Sequence, residues 1–139
     1  MIAPSGSVME QFGVTSPEFI AETAIARVWR VRRGRGLAAL KVWHDPSMVN
    51  EAGGVEYLSI RSEQGAVRLF ARAEGALLME WLGGPSLGDL VRDGRDGEAT
   101  EGLAGVAARL WRQPTVWPGA RVVSAEDWCR ALFAVEFGP

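Results

Sequence analysis

Cysteine, histidine and long apolar runs are what this chain has least of, and each shortage closes a class of function. A single cysteine, Cys129, among 139 residues excludes an internal disulfide and a multi-cysteine metal site. The single histidine, His44, has no second His or Cys with which to build a metal centre. No apolar run approaches the ~20 residues of a membrane-spanning helix. The first residues, Met1-Ile2-Ala3-Pro4-Ser5-Gly6-Ser7, lack a basic start followed by an apolar segment, so no signal peptide is visible. Charge of one sign is scarce too. The net charge is −2 with no long run of either sign, which argues against nucleic acid or a membrane surface as partner. A hydrophobic share of 47% is that of a globular chain with a core of its own, and the expectation is one cytoplasmic protein.

What is there centres on Leu37-Ala38-Ala39-Leu40-Lys41-Val42-Trp43. Strand alternation puts Ala38, Leu40 and Val42 on one face, and Leu37, Ala39, Lys41 and Trp43 on the other. A lysine inside an apolar strand needs a partner for its charge, or else snorkels out at a sheet edge. The first option calls for a carboxylate shortly downstream and an anionic ligand such as a phosphate.

The surrounding pattern is α+β. After a loosely patterned arm to Ser16, strands are expected at residues 19–22 and 26–33. Gly34-Arg35-Gly36 then turns the second into the Lys41 strand as an antiparallel hairpin. Residues 50–63 read as a helix weakened by Gly53 and Gly54, with Val55 and Leu58 inward. This helix can swing a carboxylate back to Lys41. Glu51 is the candidate and Glu56 the alternative. Residues 66–72 alternate as a half-buried strand with Val67, Leu69 and Ala71 inward. Residues 76–82 form a nearly continuous apolar run, as expected of a central strand. Ser86 caps a short helix over residues 87–91, and Asp96 precedes a stronger one over 98–112 with an apolar stripe of Ala99, Leu103, Val106, Ala107 and Leu110. Residues 113–123 are irregular. Ser124-x-x-Asp127 caps a last helix to Phe137 carrying Trp128, Leu132, Phe133 and Val135.

Three tempting motifs fail. Gly34-x-Gly36 lacks the third glycine of a dinucleotide loop, because position 39 is alanine and no helix follows. Arg27, Arg30, Arg32, Arg33 and Arg35 suggest a nucleic-acid ribbon, but with an acidic net charge a solvated strand face is favoured. His44-Asp45 sits directly before Pro46 at a turn, which favours a structural role over a catalytic one.

The ordered series is similar to the small lobe of the protein-kinase-like fold: a five-stranded antiparallel sheet plus one helix, then the first helices of a large lobe. It resembles the aminoglycoside/hydroxyurea antibiotic-resistance kinases, most closely the streptomycin 6-kinase type. The residues that carry this are 66–72 (AVRLFAR) and 76–91 (ALLMEWLGGPSLGDLV). Weaker support comes from Asn50-Glu51, Glu56-Tyr57-Leu58, Leu40-Lys41 and residues 98–101 (EATE). The resemblance covers most of residues 18–135. It implies a nucleotide-binding lobe at 1–82, and a hinge with the initial helices of an incomplete second lobe at 83–139. It implies ATP or GTP as cofactor, with Lys41 on the phosphates, Glu51 orienting Lys41, and the backbone of Glu80, Trp81 and Leu82 on the base. The acceptor would be an aminoglycoside-like hydroxyl, and Mg²⁺ would be used by the complete enzyme. The family's His-Gly-Asp loop and metal-binding Asp are missing, since the only His and Asn are His44 and Asn50. No catalytic or metal-ligating residue is therefore assigned, and the chain looks like an N-terminal fragment. The alternative is a non-catalytic nucleotide-binding or interaction remnant. The apolar stripes of the last helices predict self-association, or a need for the missing lobe to keep the chain in solution.

Overall fold

The computed structural model describes residues 3–112 and 124–133. Five strands form one antiparallel sheet in the order β1-β2-β3-β5-β4: β1 Thr15–Glu22, β2 Ala26–Arg33, β3 Gly36–Trp43, β4 Leu69–Ala73 and β5 Ala76–Glu80. The β2–β3 hairpin forms where the alternation and the glycine turn place it. Gly34 takes a left-handed φ of 57°, a conformation an L side chain resists. The register then runs unbroken from Ala26↔Trp43 to Arg33↔Gly36.

That register arranges side chains on one sheet face into rows crossing the strands. One row is Glu18–Arg30–Ala39–Met79–Leu69; the next is Ala21–Val28–Lys41–Leu77–Arg72. The opposite face holds the core of Trp29, Val31, Ala38, Leu40 and Leu78 with Val14. The Lys41 face is also covered at one end, where Ala26, Trp43, Val55 and Leu77 are buried together. Leu77 and Leu78, adjacent and both buried, show why β5 reads as a continuous apolar run: both of its faces are covered.

The first correction concerns the N-terminal arm. It contains a helix, α1 (Gly6–Phe12), capped by Ser5 Oγ, which accepts from the Val8 amide at 3.3 Å, and closed by Gly13 in the left-handed region. Val8, Met9 and Phe12 pack on the Trp29–Leu40 core. Two turns of helix have little stability alone, so tertiary packing decides this segment.

The second correction concerns β4. Its register slips between Leu69 and Ala71, so the expected common face of Val67, Leu69 and Ala71 does not form. Val67 precedes the strand. Leu69 packs with the Trp43 cluster, while Phe70 and Ala71 pack on the opposite core. An extra residue in one strand of a pair turns the following side chains over.

The helix after β3 begins with a 3₁₀ turn, Val49–Glu51, and continues as α2 (Ala52–Arg61). Val55 is buried and Leu58 partly so. Beyond β5, α3 (Leu87–Arg92) is held by a reciprocal cap. The Asp89 amide donates to Ser86 Oγ, and Asp89 Oδ2 accepts from the Ser86 amide at 2.7 Å. The next helix, α4 (Asp96–Trp111), starts earlier than expected, so Asp96 lies in its first turn rather than before it, with Arg95 at the cap. Its end rests on the turn after α2: a methyl on Gly65 would lie 3.4 Å from Leu110 Cδ2. The last helix is not continuous. It breaks at Cys129 into α5 (Ala125–Trp128) and α6 (Arg130–Phe133). Residues 113–123 and 134–137, where an irregular segment and the helix end were expected, lie outside the described residues.

Candidate functional site

Lys41 is the chain's only lysine; the other fourteen cationic residues are arginines. A compact ammonium behaves as a point charge, whereas guanidinium prefers bidentate geometry. The exception therefore falls at the position where the strand pattern points to a special role.

Its Nζ donates to Glu51 Oε2 at 2.5 Å, and the same oxygen accepts from Trp43 Nε1 at 2.7 Å. The ammonium also lies 4.8 Å from the Trp43 ring centre. Glu51 reaches back because the 3₁₀ turn follows β3 after only a short loop. Glu56, one helical turn and more further on, pairs instead with Arg72 Nη1 at 2.9 Å. Lys41 and Arg72 belong to the same side-chain row, so two ion pairs from one row fasten α2 to the sheet. Burial alone would raise the Glu51 carboxyl. The hydrogen bonds from Lys41 and Trp43, with the charge of Lys41, outweigh it and hold the group below its ordinary value. An ionised Glu51 thus fixes a charged Lys41 that keeps donors to spare for an anion.

Beside Lys41, the same face carries Val28, Ala39, Leu77 and Met79 in the two rows. Leu77 is buried beneath the Trp43 cluster, while Val28, Ala39 and Met79 are partly exposed and form an apolar ledge beside the ammonium. At its end β5 stops at Glu80. The Glu80 amide donates to the Arg68 carbonyl at 2.9 Å, and Glu80 Oε1 accepts from the Arg68 amide at 2.8 Å. Both the side chain and the amide of Glu80 are thereby tied to the lead-in of β4. Trp81 is half-buried and Leu82 exposed. Ammonium, ledge and departing strand are the parts a nucleoside phosphate requires: an anion site, a ring platform and backbone donors and acceptors. No group of three His, Cys, Asp or Glu able to hold a metal occurs among the described residues, so no metal ligand is assigned.

Asp45, His44 and three of the flagged arginines have structural partners. Asp45 Oδ1 accepts from the Ser47 amide at 2.8 Å, and hydrogen bonds from Ser47 lower its pKa. His44 Nε2 lies 3.3 Å from the Thr23 carbonyl oxygen and 3.6 Å from Glu22. Arg27 pairs with Glu22 at 2.8 Å. Arg33 stacks on Phe70 at 4.4 Å. Arg30, which sequence reasoning treated only as surface, pairs with Glu18 and lies 5.5 Å over the Trp81 ring. No helix among the described residues is long and apolar enough to cross a membrane.

The family model for aminoglycoside/hydroxyurea antibiotic resistance kinases matches residues 12–138. A curated relative, the streptomycin 3''-kinase of Klebsiella pneumoniae, is 34% identical over 126 residues, covering 90% of this chain and 46% of that protein. The chain thus spans about half the length of the curated relative it matches.

Proposed function

The chain belongs to the aminoglycoside/hydroxyurea antibiotic resistance kinase family, and on that premise we propose that it supplies the nucleotide-binding part of a phosphotransferase. The donor is ATP or GTP, and the acceptor class is a hydroxyl of an aminoglycoside such as streptomycin. In this reading residues 1–82 form the nucleotide lobe and residues 83–139 the hinge and first helices of a second lobe. A cytoplasmic location, where nucleoside triphosphates are available, goes with it. The single observation that carries the proposal is the sole lysine on β3, held by Glu51 beside the partly exposed row of Val28, Ala39 and Met79. Lys41 binds the phosphates, Glu51 orients it, and the Glu80–Trp81–Leu82 backbone meets the base. Magnesium, when bound, supplies charge neutralisation across the phosphates.

Isothermal calorimetry with ATP and GTP tests the core of the proposal. Replacing Lys41 by Ala should weaken triphosphate binding by about tenfold or more, in line with a charge-assisted contact worth ~1.5–3 kcal/mol. Equal affinity in wild type and variant would remove Lys41 from the site. We further propose self-association through the C-terminal helices, supported by Leu103, Trp111 and Trp128 at 60, 81 and 60% exposure. Light scattering at tens of micromolar should give a mass above the 15.0 kDa monomer; a clean monomer would refute this part.

A further inference from the structure

The row next to Lys41 ends in a set of contacts that the ion pair with Glu51 does not explain. Glu18 on β1 stands directly across from Arg30 on β2, and the two are ion-paired. Arg30 in turn stands across from Ala39, and Ala39 across from Met79. Trp81 follows two residues after Met79, where the chain has left the sheet, and its ring lies under the Arg30 guanidinium at 5.5 Å. Three separate segments, β1, β2 and the strand exit, thus meet at the far end of the ledge from Lys41.

Glu18 is largely open to solvent and Arg30 partly so, and an ion pair this exposed contributes little to stability. Its geometric effect is larger. Glu18 limits where the guanidinium can go, and the guanidinium fixes the plane of the indole by cation–π contact. Trp81 lies between Glu80 and Leu82, so the backbone of all three is fixed with it.

We propose that Glu18, Arg30 and Trp81 form the outer wall of the base site. Arg30 acts as a positioning residue: it sets the Glu80–Leu82 backbone against the Val28–Ala39–Met79 ledge. The inference rests on the nucleotide reading given above and adds a division of labour. Lys41 governs the phosphate end and Arg30 the base end, two residues apart on adjacent strands, or about 7 Å along the sheet.

The test titrates the full chain with three probes: adenosine, ATP and inorganic tripolyphosphate. Arg30→Met should weaken adenosine and ATP binding by about tenfold, within the range of a partly desolvated cation–π contact. Tripolyphosphate affinity should stay within about twofold. Arg30→Lys, which keeps a cation over the ring, should recover most of the adenosine affinity. Lys41→Ala should show the opposite pattern, losing tripolyphosphate and sparing adenosine. Should Arg30→Met fail to fold by circular dichroism, Glu18→Gln releases the guanidinium at constant volume and should shift adenosine binding in the same direction, by less. If Arg30→Met leaves adenosine binding unchanged, or weakens all three probes equally, the wall is refuted while a Lys41-dependent loss of tripolyphosphate keeps the nucleotide reading. If wild type binds neither ATP nor tripolyphosphate, both fall together.

Discussion

Removing the Glu51 carboxylate strands two donors at once, and the structure allows the loss to be apportioned. In Glu51→Ala, the Trp43 indole N–H loses its acceptor. Trp43 is 5% exposed, so an unpaired donor there costs about 1–3 kcal/mol. The Lys41 side chain is 24% exposed and Glu51 37%. The ammonium can recruit water, and the ion-pair share shrinks to about 1 kcal/mol or less after solvent screening. Freeing the glutamate's rotamers returns about 1 kcal/mol. The expected net loss is about 2 kcal/mol for Glu51→Ala and about half that for Glu51→Gln, whose amide oxygen still serves one donor.

Urea denaturation at pH 7 should read this as a midpoint lowered by about 1 M for the alanine variant at an unchanged slope of about 2 kcal/mol/M. The pH dependence supplies a second check. The folded carboxyl titrates below its ordinary value of 4.5, so its stabilisation is complete above that value. It is lost as pH falls through the lower, folded value. The gap between wild type and Glu51→Gln should therefore close in acid. A gap that persists unchanged to pH 2, or coincident midpoints at pH 7, would show that the Lys41–Glu51–Trp43 cluster does not hold the fold in this way.

Other expectations concern the scaffold. Gly75 has φ +64°, and a methyl there would come within 2.8 Å of Pro46 Cα. Gly75→Ala should destabilise by about 1–3 kcal/mol in the same urea assay, from backbone strain and the clash together. Hydrogen bonds from the Ser86 side chain and backbone, with Arg92, lower the Asp89 pKa to about 2. The α3 cap should therefore persist above pH 3.8 and be lost only as pH falls through about 2. Ser86→Ala should move the Asp89 titration, followed by NMR, back towards 3.8.

The parts of this fold legible in the sequence are those where a local pattern and its burial agree. From Trp29 to Val31 in β2 and from Ala38 to Leu40 in β3 the burial alternates as the pattern requires, and Gly34 marks the turn. In β5 an unbroken apolar run matches a strand covered on both sides. Three elements were hidden for physical reasons. Helix α1 is too short to have an intrinsic signal and exists because Val8, Met9 and Phe12 find Trp29 and Leu40. The slip in β4 reverses Ala71, and no composition cue announces an unpaired residue. The break at Cys129 interrupts an apolar spacing that continues across it. At the site, Glu51 could be picked out by its nearness to Lys41 in the chain, but the choice over Glu56 depends on Arg72, sixteen residues from Glu56 and placed by the pairing of β4 with β5. The contact between Arg30 and Trp81 was beyond reach because it depends on the register of β2, β3 and β5. One signal was in plain view: a chain with fourteen arginines uses lysine once.

That single lysine has a consequence for chemistry done on the protein. Amine-selective reagents acting on the folded chain have two addresses, the α-amino group and Lys41. Once the terminus is blocked, every acylation or reductive alkylation event reports on one ammonium, at the centre of the candidate site and engaged by Glu51. Its labelling rate then measures how often that amine is released from Glu51, and a ligand that occupies it becomes visible as protection of a single atom.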